Sequence, residues 1–202
     1  MSLIIPTSYF PNIEYFHQLL QKSDVKISTA EIFQKQTYRN RCVIINANGL
    51  QNLTVPVERN SGEETLTKNI KISYAEDWQK NHLRSIESAY RRTPYYEYYI
   101  DSIEKIILKN HVYLVDLNFE LTEFLVQKIG LSCELKLEEN NSEIKPEILE
   151  MMNPKTESKF QTKTYIQTFI ERFGFQNNLS ILDLLFNEGP NCICVLQESV
   201  KK

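Results

Sequence analysis

The chain has 202 residues, 42% of them hydrophobic and 24% charged, with a formal net charge of -3 when histidine is neutral. This length and composition are enough for a well-buried core and exclude a disordered chain. The five glycines lie far apart, the nearest two being Gly49 and Gly62. The chain can therefore hold neither the dinucleotide-binding G-x-G-x-x-G fingerprint nor a Walker loop.

The first 27 residues predict a strand-helix-strand unit. Residues 3–5 are a short apolar run that Pro6 stops, as in a buried strand that ends in a loop. Residues 11–21 then carry apolar side chains at helical spacing, and residues 25–27 alternate as a second strand does. This order is typical of a βαβ unit with a parallel sheet.

A hairpin and a helical layer are predicted next. The hairpin strands are residues 41–47 and 53–57, joined at Asn48-Gly49, which is the strongest two-residue turn signal. Helical periodicity then predicts three helices, at residues 74–90, 94–108 and 112–129. Gly130 is placed to end the third helix.

The composition changes after Gly130. Residues 131–158 hold seven Glu and three Lys, which predicts an acidic linker or mobile segment. Beyond it the pattern predicts helices over residues 165–173 and 179–186, and a last strand over residues 193–196.

These elements predict an α/β fold, with a mixed sheet from the strand-helix-strand unit and the hairpin, followed by a largely helical C-terminal half. We expect residues 1–130 to form an α/β core with a helical layer. Residues 131–158 are the acidic linker, and residues 159–202 form a helical region that packs on the same domain.

Several classes of site and location are disfavoured. The four cysteines form no C-x-x-C pair, and the three histidines have no HExxH spacing, so we expect free thiols and no metal site. The negative net charge disfavours a nucleic-acid partner. The first residues do not resemble a signal peptide, and no apolar run approaches the ~18 residues of a membrane span, so we expect a cytoplasmic protein. No cofactor is indicated.

The densest polar group is residues 35–41, Lys-Gln-Thr-Tyr-Arg-Asn-Arg, directly before a predicted strand. In an extended chain Lys35, Arg39 and Arg41 project to one side. Three cations at the end of a sheet predict a pocket for a phosphate or carboxylate, because the arginine fork matches both. A solvated or ion-paired edge strand is the alternative.

Six segments together resemble the bacterial WbqC-like family. They are Ser8-Tyr9-Phe10-Pro11, Lys35 to Arg41, Leu53 to Val57, Trp78 with His82, Ile86-Glu87 with Tyr90, and Leu179 to Asn191. Many relatives carry His-Gln-Pro where this chain has Ile5-Pro6-Thr7, so a mechanism that uses that histidine is not expected here. The resemblance implies a role in surface-polysaccharide synthesis of the O-antigen type, as a transferase. It also singles out Tyr9, Tyr38 and Asn40 as ligand contacts beside the cations.

Two residues are candidates for proton transfer. His82 lies on the apolar helix face with Trp78 and Ile86, as a half-buried core histidine does, and the resemblance favours a general base or phosphate ligand. Asp183 lies near the end of the last long helix, where it is either part of a solvated helix end or a general base toward a hydroxyl or amine.

Two functions follow from these residues. The first is a transferase that acts on a sugar-nucleotide or glycan intermediate and binds a small anionic substrate, either a sugar nucleotide or an acyl or aminoacyl donor. The second is a non-catalytic ligand-binding or scaffold protein of a polysaccharide assembly pathway. The absence of any strong catalytic motif favours the second.

Overall fold

The computed structural model of the chain describes residues 2–58 and 64–201. Its strands are β1 (Leu3–Pro6), β2 (Asp24–Ser28), β3 (Arg41–Asn46), β4 (Gly49–Thr54), β5 (Val57–Glu58), β6 (Lys71–Ile72), β7 (Glu134–Glu138), β8 (Phe160–Gln161) and β9 (Val200–Lys201). Its helices are α1 (Ile13–Leu20), α2 (Trp78–Tyr90), α3 (Tyr96–Leu108), α4 (Leu114–Ile129), α5 (Pro146–Met151), α6 (Ile170–Phe173), α7 (Ile181–Glu188) and α8 (Cys192–Glu198).

A three-stranded parallel sheet in the order β1-β2-β7 forms the centre of the α/β fold. Ile5 pairs with Ile27, and Ile27 pairs with Leu137 of β7. The predicted βαβ unit is confirmed. The third strand comes from residues 131–158, where composition predicted a linker, so part of that acidic segment belongs to the sheet.

Helix α1 crosses from β1 to β2 and is capped by its sequence. The side-chain oxygen of Asn12 accepts a hydrogen bond from the backbone N–H of Tyr15, and Glu14 lies in the first turn. Both features stabilise a helix start, because the first backbone N–H groups have no partner within the helix. Phe16 and Leu19 are completely buried in the core.

The predicted hairpin is present as β3 and β4, but its turn lies one residue earlier than expected. Asn46 pairs with Gly49, so the two turn residues are Ala47 and Asn48. Gly49 is the first strand residue of β4 and has a φ of 107, which favours glycine. The dipeptide signal therefore located the hairpin correctly and its turn one residue too late.

Helices α2, α3 and α4 form the predicted helical layer and bury Ile86, Ile103 and Leu121. The α4 helix ends at Gly130, whose left-handed conformation (φ 82) allows its N–H to bond the carbonyl of Val126. This is the predicted helix stop.

The C-terminal region is joined to the N-terminal motif by main-chain hydrogen bonds. The N–H of Ile13 donates to the carbonyl of Leu179, and the N–H of Ile181 donates to the carbonyl of Pro11. This pairing brings residues 178–181 against the start of α1.

Two C-terminal assignments differ from the prediction. The strand predicted at residues 193–196 lies inside α8, because a short apolar run alone does not distinguish a buried strand from a buried helix. The helix predicted over residues 165–173 is confined to α6, since Tyr165 and Gln167 use their side chains in contacts with the core and with Gln176.

None of the helices within the described ranges combines the length and apolar character that a membrane crossing requires.

Candidate functional site

The predicted cationic group does not lie on an extended strand. Residues 35–40 form turns and bends, Gln36 has a positive φ of 60, and β3 begins only at Arg41. Lys35 is exposed, Arg39 is completely buried and Arg41 is half-buried. The expected alternation along 35–41 is therefore wrong, because a turn sends neighbouring side chains in different directions.

Arg39 forms a buried ion pair with Glu31, which follows β2. Its Nε donates to Oε1 of Glu31 at 2.8 Å, and its Nη1 donates to the hydroxyl of Thr37 at 3.3 Å. Burial raises the pKa of the Glu31 carboxyl, and the Arg39 guanidinium opposes that shift. The guanidinium is thus used to hold the 31–39 loop at the carboxyl end of the sheet.

Asn40 and the main chain of Arg39 are fixed in the same region. The Nδ2 of Asn40 donates to the carbonyl of Val55 at 2.9 Å, and the N–H of Val55 donates back to the carbonyl of Asn40 at 2.8 Å. The Nδ2 of Asn118 donates to the carbonyl of Arg39 at 2.8 Å. These bonds anchor the turn to the hairpin and to α4.

Tyr9 and His82 are brought together in the core. The hydroxyl of Tyr9 lies 2.9 Å from Nδ1 of His82, and the main chain of Thr54 also hydrogen-bonds the imidazole. The ring of Trp78 packs on the histidine at 5.2 Å between centroids. Burial lowers the pKa of His82 to about 4, because the charged imidazolium loses its hydration. His82 is consequently a neutral and fully hydrogen-bonded side chain.

Asp183 lies in the first turn of α7 and is buried. It is therefore not part of a solvated helix end, which was one of the two predictions for this residue. Its side chain is completely buried and accepts a hydrogen bond of 2.5 Å from the hydroxyl of Tyr165. The oxygen of this hydroxyl accepts a hydrogen bond from the side-chain amide of Gln167. Burial raises the pKa of Asp183 to about 6. The carboxyl group connects the 165–167 segment to the core.

Tyr38 lines a cavity of about 260 Å³ between the start of α1, the 35–40 turn and α5. We call it the Tyr38 cavity, and define it by Asn12, Glu14, Tyr38, Ser158 and Asn178, all of which line it. Asn12 hydrogen-bonds the phenol of Tyr38, whose pKa is raised chiefly by burial. Tyr38 is the predicted site residue that lines this cavity.

The polar groups of the Tyr38 cavity are held by bonds between distant segments. Glu14 is almost completely buried, and its Oε2 accepts hydrogen bonds from Ser158 (2.7 Å) and from Nδ2 of Asn178 (3.2 Å). The N–H of Glu14 donates to Oδ1 of Asn178 at 2.9 Å. Sequence reasoning missed these residues because more than 140 positions separate Glu14 from its two partners. Asn12 carries a local signal, since it is a capping residue directly before an apolar periodic run.

Arg41 is a predicted cation whose charge acts on the phenol of Tyr38. Its positive charge lowers the pKa of the Tyr38 phenol against the larger effect of burial. Its Nε is buried and has no hydrogen-bond acceptor among the residues that the structure describes. The side chain as a whole is half-buried and does not belong to the cavity wall, so an anion held by Arg41 would lie outside that wall.

The cysteines form no disulfide, and no metal-binding group of side chains is present among the described residues. The four cysteines are free; Cys42 and Cys192 are buried, whereas Cys194 is exposed. Within residues 2–58 and 64–201, no three His, Cys, Asp or Glu side chains are grouped so that they could hold a metal ion.

The comparisons with known proteins agree with the motifs. The model of the WbqC-like protein family matches residues 7–168, a span that includes Tyr9, the 35–41 group and His82. An uncharacterized protein of Mycobacterium tuberculosis, Rv1507c, is 25% identical over 215 aligned residues, which cover 92% of this chain and 93% of that protein. No solved structure matches the chain significantly. Because the family model spans well over half of the sequence, the chain belongs to the WbqC-like protein family.

Proposed function

We propose that the chain is a transferase that acts on a sugar-nucleotide or glycan intermediate of bacterial surface-polysaccharide synthesis. The polysaccharide context is the one that the WbqC-like motifs imply. One observation carries the proposal at the level of the site, namely the Tyr38 cavity. It combines an aromatic ring, two amides, a hydroxyl and a buried carboxyl, and such groups bind hydroxylated rings by stacking and hydrogen bonds.

The phosphate of a sugar nucleotide would lie outside the cavity, at Arg41. This arginine is half-buried and its Nε lacks an acceptor in the described part of the chain. Lys35 is exposed on the preceding turn and supplies a second positive charge. We therefore assign the phosphate contact to Arg41 alone, and not to three converging cations. Lys35 lies at the periphery, and Arg39 forms a structural ion pair with Glu31.

The positions of His82 and Asp183 do not favour the proposal that either residue transfers a proton to the substrate. Both side chains are buried and hydrogen-bonded, and neither belongs to the wall of the Tyr38 cavity. This observation favours a second candidate function, a non-catalytic protein that binds a sugar-nucleotide or glycan and delivers or retains it.

A ligand screen followed by a turnover assay tests both functions. Thermal shifts are measured with nucleotide sugars, acyl-CoA species, aminoacyl donors and free nucleotides, because a ligand that binds the folded state raises its melting temperature. We expect nucleotide sugars to stabilise the wild type, Tyr38→Ala to abolish the shift, and the matched control Tyr98→Ala, which removes a phenol that is 77% exposed, to keep it.

Mass spectrometry of the reaction mixture then separates the two functions. Transfer of the sugar to a glycan acceptor supports the transferase. A stabilising nucleotide sugar that is recovered intact with every acceptor supports the binding protein. A wild type that no nucleotide sugar stabilises, or a Tyr38→Ala variant that is stabilised as much as the wild type, contradicts the proposed site.

A further inference from the structure

Strand β7 is an outer strand of the parallel sheet, and half of its main-chain groups face away from β2. The N–H of Glu134 and the carbonyl of Glu138 both form hydrogen bonds with the residues that flank β2. Main-chain groups point to alternate sides along a strand, so those of Leu135 and Leu137 face outward. Within the described residues the sheet ends at β7, so these outward groups have no partner strand there.

The edge at β7 lacks the features that usually block a sheet edge. Proteins cover such edges or interrupt them with proline or a bulge. The other outer strand, β1, is contacted by α5 and ends at Pro6, whereas β7 holds no proline and pairs with β2 without a bulge. Leu137 pairs with Ile27 and is 41% exposed, although Ile27 is only 1% exposed. The strand therefore presents an apolar edge that a further strand can cover.

The charges along β7 make the strand complementary to a second copy of itself. Glu134 and Lys136 are exposed and lie on the same face of the sheet, where their side chains form an ion pair of 3.1 Å. If two β7 strands pair antiparallel about a two-fold axis at Leu135, Glu134 of each copy lies opposite Lys136 of the other. Side chains of opposite charge that face each other across a strand pair stabilise it.

The other two-fold registers are less favourable. An axis at either charged neighbour of Leu135 would set two like charges against each other. An axis at Leu137 would set Leu135 opposite the charged Glu139. The axis at Leu135 instead sets Leu137 opposite Cys133, which is a half-buried thiol and packs as a small apolar group. One register thus combines matched charges with matched apolar side chains.

We propose that two copies of the chain associate through antiparallel pairing of their β7 strands about a two-fold axis at Leu135, so that two three-stranded sheets become one of six strands. A cavity of about 740 Å³ beside β7 is lined by Leu131, Phe124 and Leu135. It adds surface for the second copy to cover, because a pair of five-residue strands alone buries less area than a stable dimer needs. The inference is independent of the proposed function, since no residue of β7 lines the Tyr38 cavity.

Sedimentation velocity of the full chain and of charge-reversed variants tests the interface. We expect the wild type to sediment with twice the mass of one chain. Lys136→Glu and Glu134→Lys each set like charges opposite one another twice, so each should weaken dimerisation about tenfold. The double variant Glu134→Lys/Lys136→Glu restores the matched charges and should restore the dimer. Lys155→Glu reverses the charge of an exposed lysine outside β7 and should leave the dimer unchanged.

A disulfide tests the register. In the proposed pair the Cα atoms of residue 137 and of Cys133 in the second copy are about 5.5 Å apart, which a disulfide can bridge. Within one strand the same two positions are about 13 Å apart, so they cannot be joined in one chain. Leu137→Cys treated with oxidised glutathione should therefore give a covalent dimer whose linked peptides contain Cys133. The further change Cys133→Ser should abolish it.

Each outcome supports or overturns the inference. A wild type that stays monomeric at every concentration measured overturns it and leaves the edge to a strand of another protein. A dimer that both single charge reversals leave intact places the interface elsewhere. A double variant that stays dissociated, or a cross-link at Leu137→Cys that survives Cys133→Ser, overturns the register at Leu135. The cross-link decides the case in which a charge variant does not fold, because the side chain of Leu137 is largely outside the core.

Discussion

Tyr38 and Arg39 are neighbours in the sequence and belong to different parts of the molecule. Tyr38 lines an acidic cavity, whereas Arg39 points into the protein and pairs with Glu31. Both stand in the same polar motif, and the motif alone suggested one anion pocket for all of its members. The difference shows that a turn can divide a polar motif between a structural ion pair and a ligand cavity.

The largest expected effect is on stability, at the structural side of this comparison. Arg39→Ala leaves the Glu31 carboxylate buried without its cation, and breaking a buried pair in this way costs about 3–5 kcal/mol of unfolding free energy. Urea denaturation measures the loss. Lys35→Ala is the control, with a change expected within about 0.5 kcal/mol because the side chain is exposed. Equal stability of the two variants would show that Arg39 has no structural role.

The two buried titratable groups should give opposite pH dependences of stability. The pKa of Asp183 is raised to about 6, so its contribution is present below about pH 4 and is lost as the pH rises to about 6. The pKa of His82 is lowered to about 4, so its contribution is present above about pH 6.5 and is lost as the pH falls toward 4. Each amounts to about 3 kcal/mol, and in the wild type the two partly cancel.

Denaturation of Asp183→Asn and His82→Asn between pH 4 and pH 7 separates these contributions. Asp183→Asn should gain stability with rising pH, because the histidine effect remains alone. His82→Asn should lose stability with rising pH. If each variant retains the pH profile of the wild type, the buried states of these two groups are not as described. Turnover that survives His82→Asn would place this histidine in the core and not in the chemistry.

A smaller effect is expected on binding, at the ligand side of the comparison. Arg41→Ala should weaken the binding of a nucleotide sugar by about 1.5–3 kcal/mol, which is the contribution of a hydrogen bond to a charged group. The free sugar should bind as before, because the cavity is unchanged. Calorimetry of both ligands is the measurement, and an equal loss for the free sugar would contradict a phosphate contact at Arg41.

The smallest effect is expected from removal of the hydrogen bond between Ser158 and Glu14. Ser158→Ala removes the hydroxyl that donates to Oε2 of Glu14, so the carboxylate becomes less fixed. We expect a loss of about 1 kcal/mol in sugar affinity with little change in stability. Ser142→Ala removes a half-buried hydroxyl outside the cavity wall and serves as the control. An unchanged affinity in Ser158→Ala would show that this bond does not position Glu14.

The fold was predictable where local physical signals are strong. Apolar periodicity located α1 to α4 and alternation located β2, because these patterns reflect one buried face of each element, and a short apolar run ended by a proline located β1. Strand β7 escaped because Glu134, Lys136 and Glu138 give it the composition of a linker. Its assignment depends on pairing with β2, a contact between residues about 110 positions apart that no local window contains.

The candidate site was predictable in its motif and not in its geometry. Tyr38 was identified, since it stands in a segment with an unusual density of polar groups. The direction of each side chain in that segment depends on a turn with a positive φ at Gln36, which the residue types did not indicate. Asn178 reaches Glu14 through the tertiary pairing of residues 10–13 with residues 178–181, and Ser158 reaches it from a third segment of the chain.

The central claim is that the Tyr38 cavity is the place where the substrate's sugar binds. A crystal structure of the chain with a nucleotide sugar that stabilises it is the most direct measurement. The account predicts the sugar ring within hydrogen-bond distance of Glu14 and against Tyr38, with the phosphate toward Arg41. A sugar bound elsewhere, with the Tyr38 cavity empty, would contradict it.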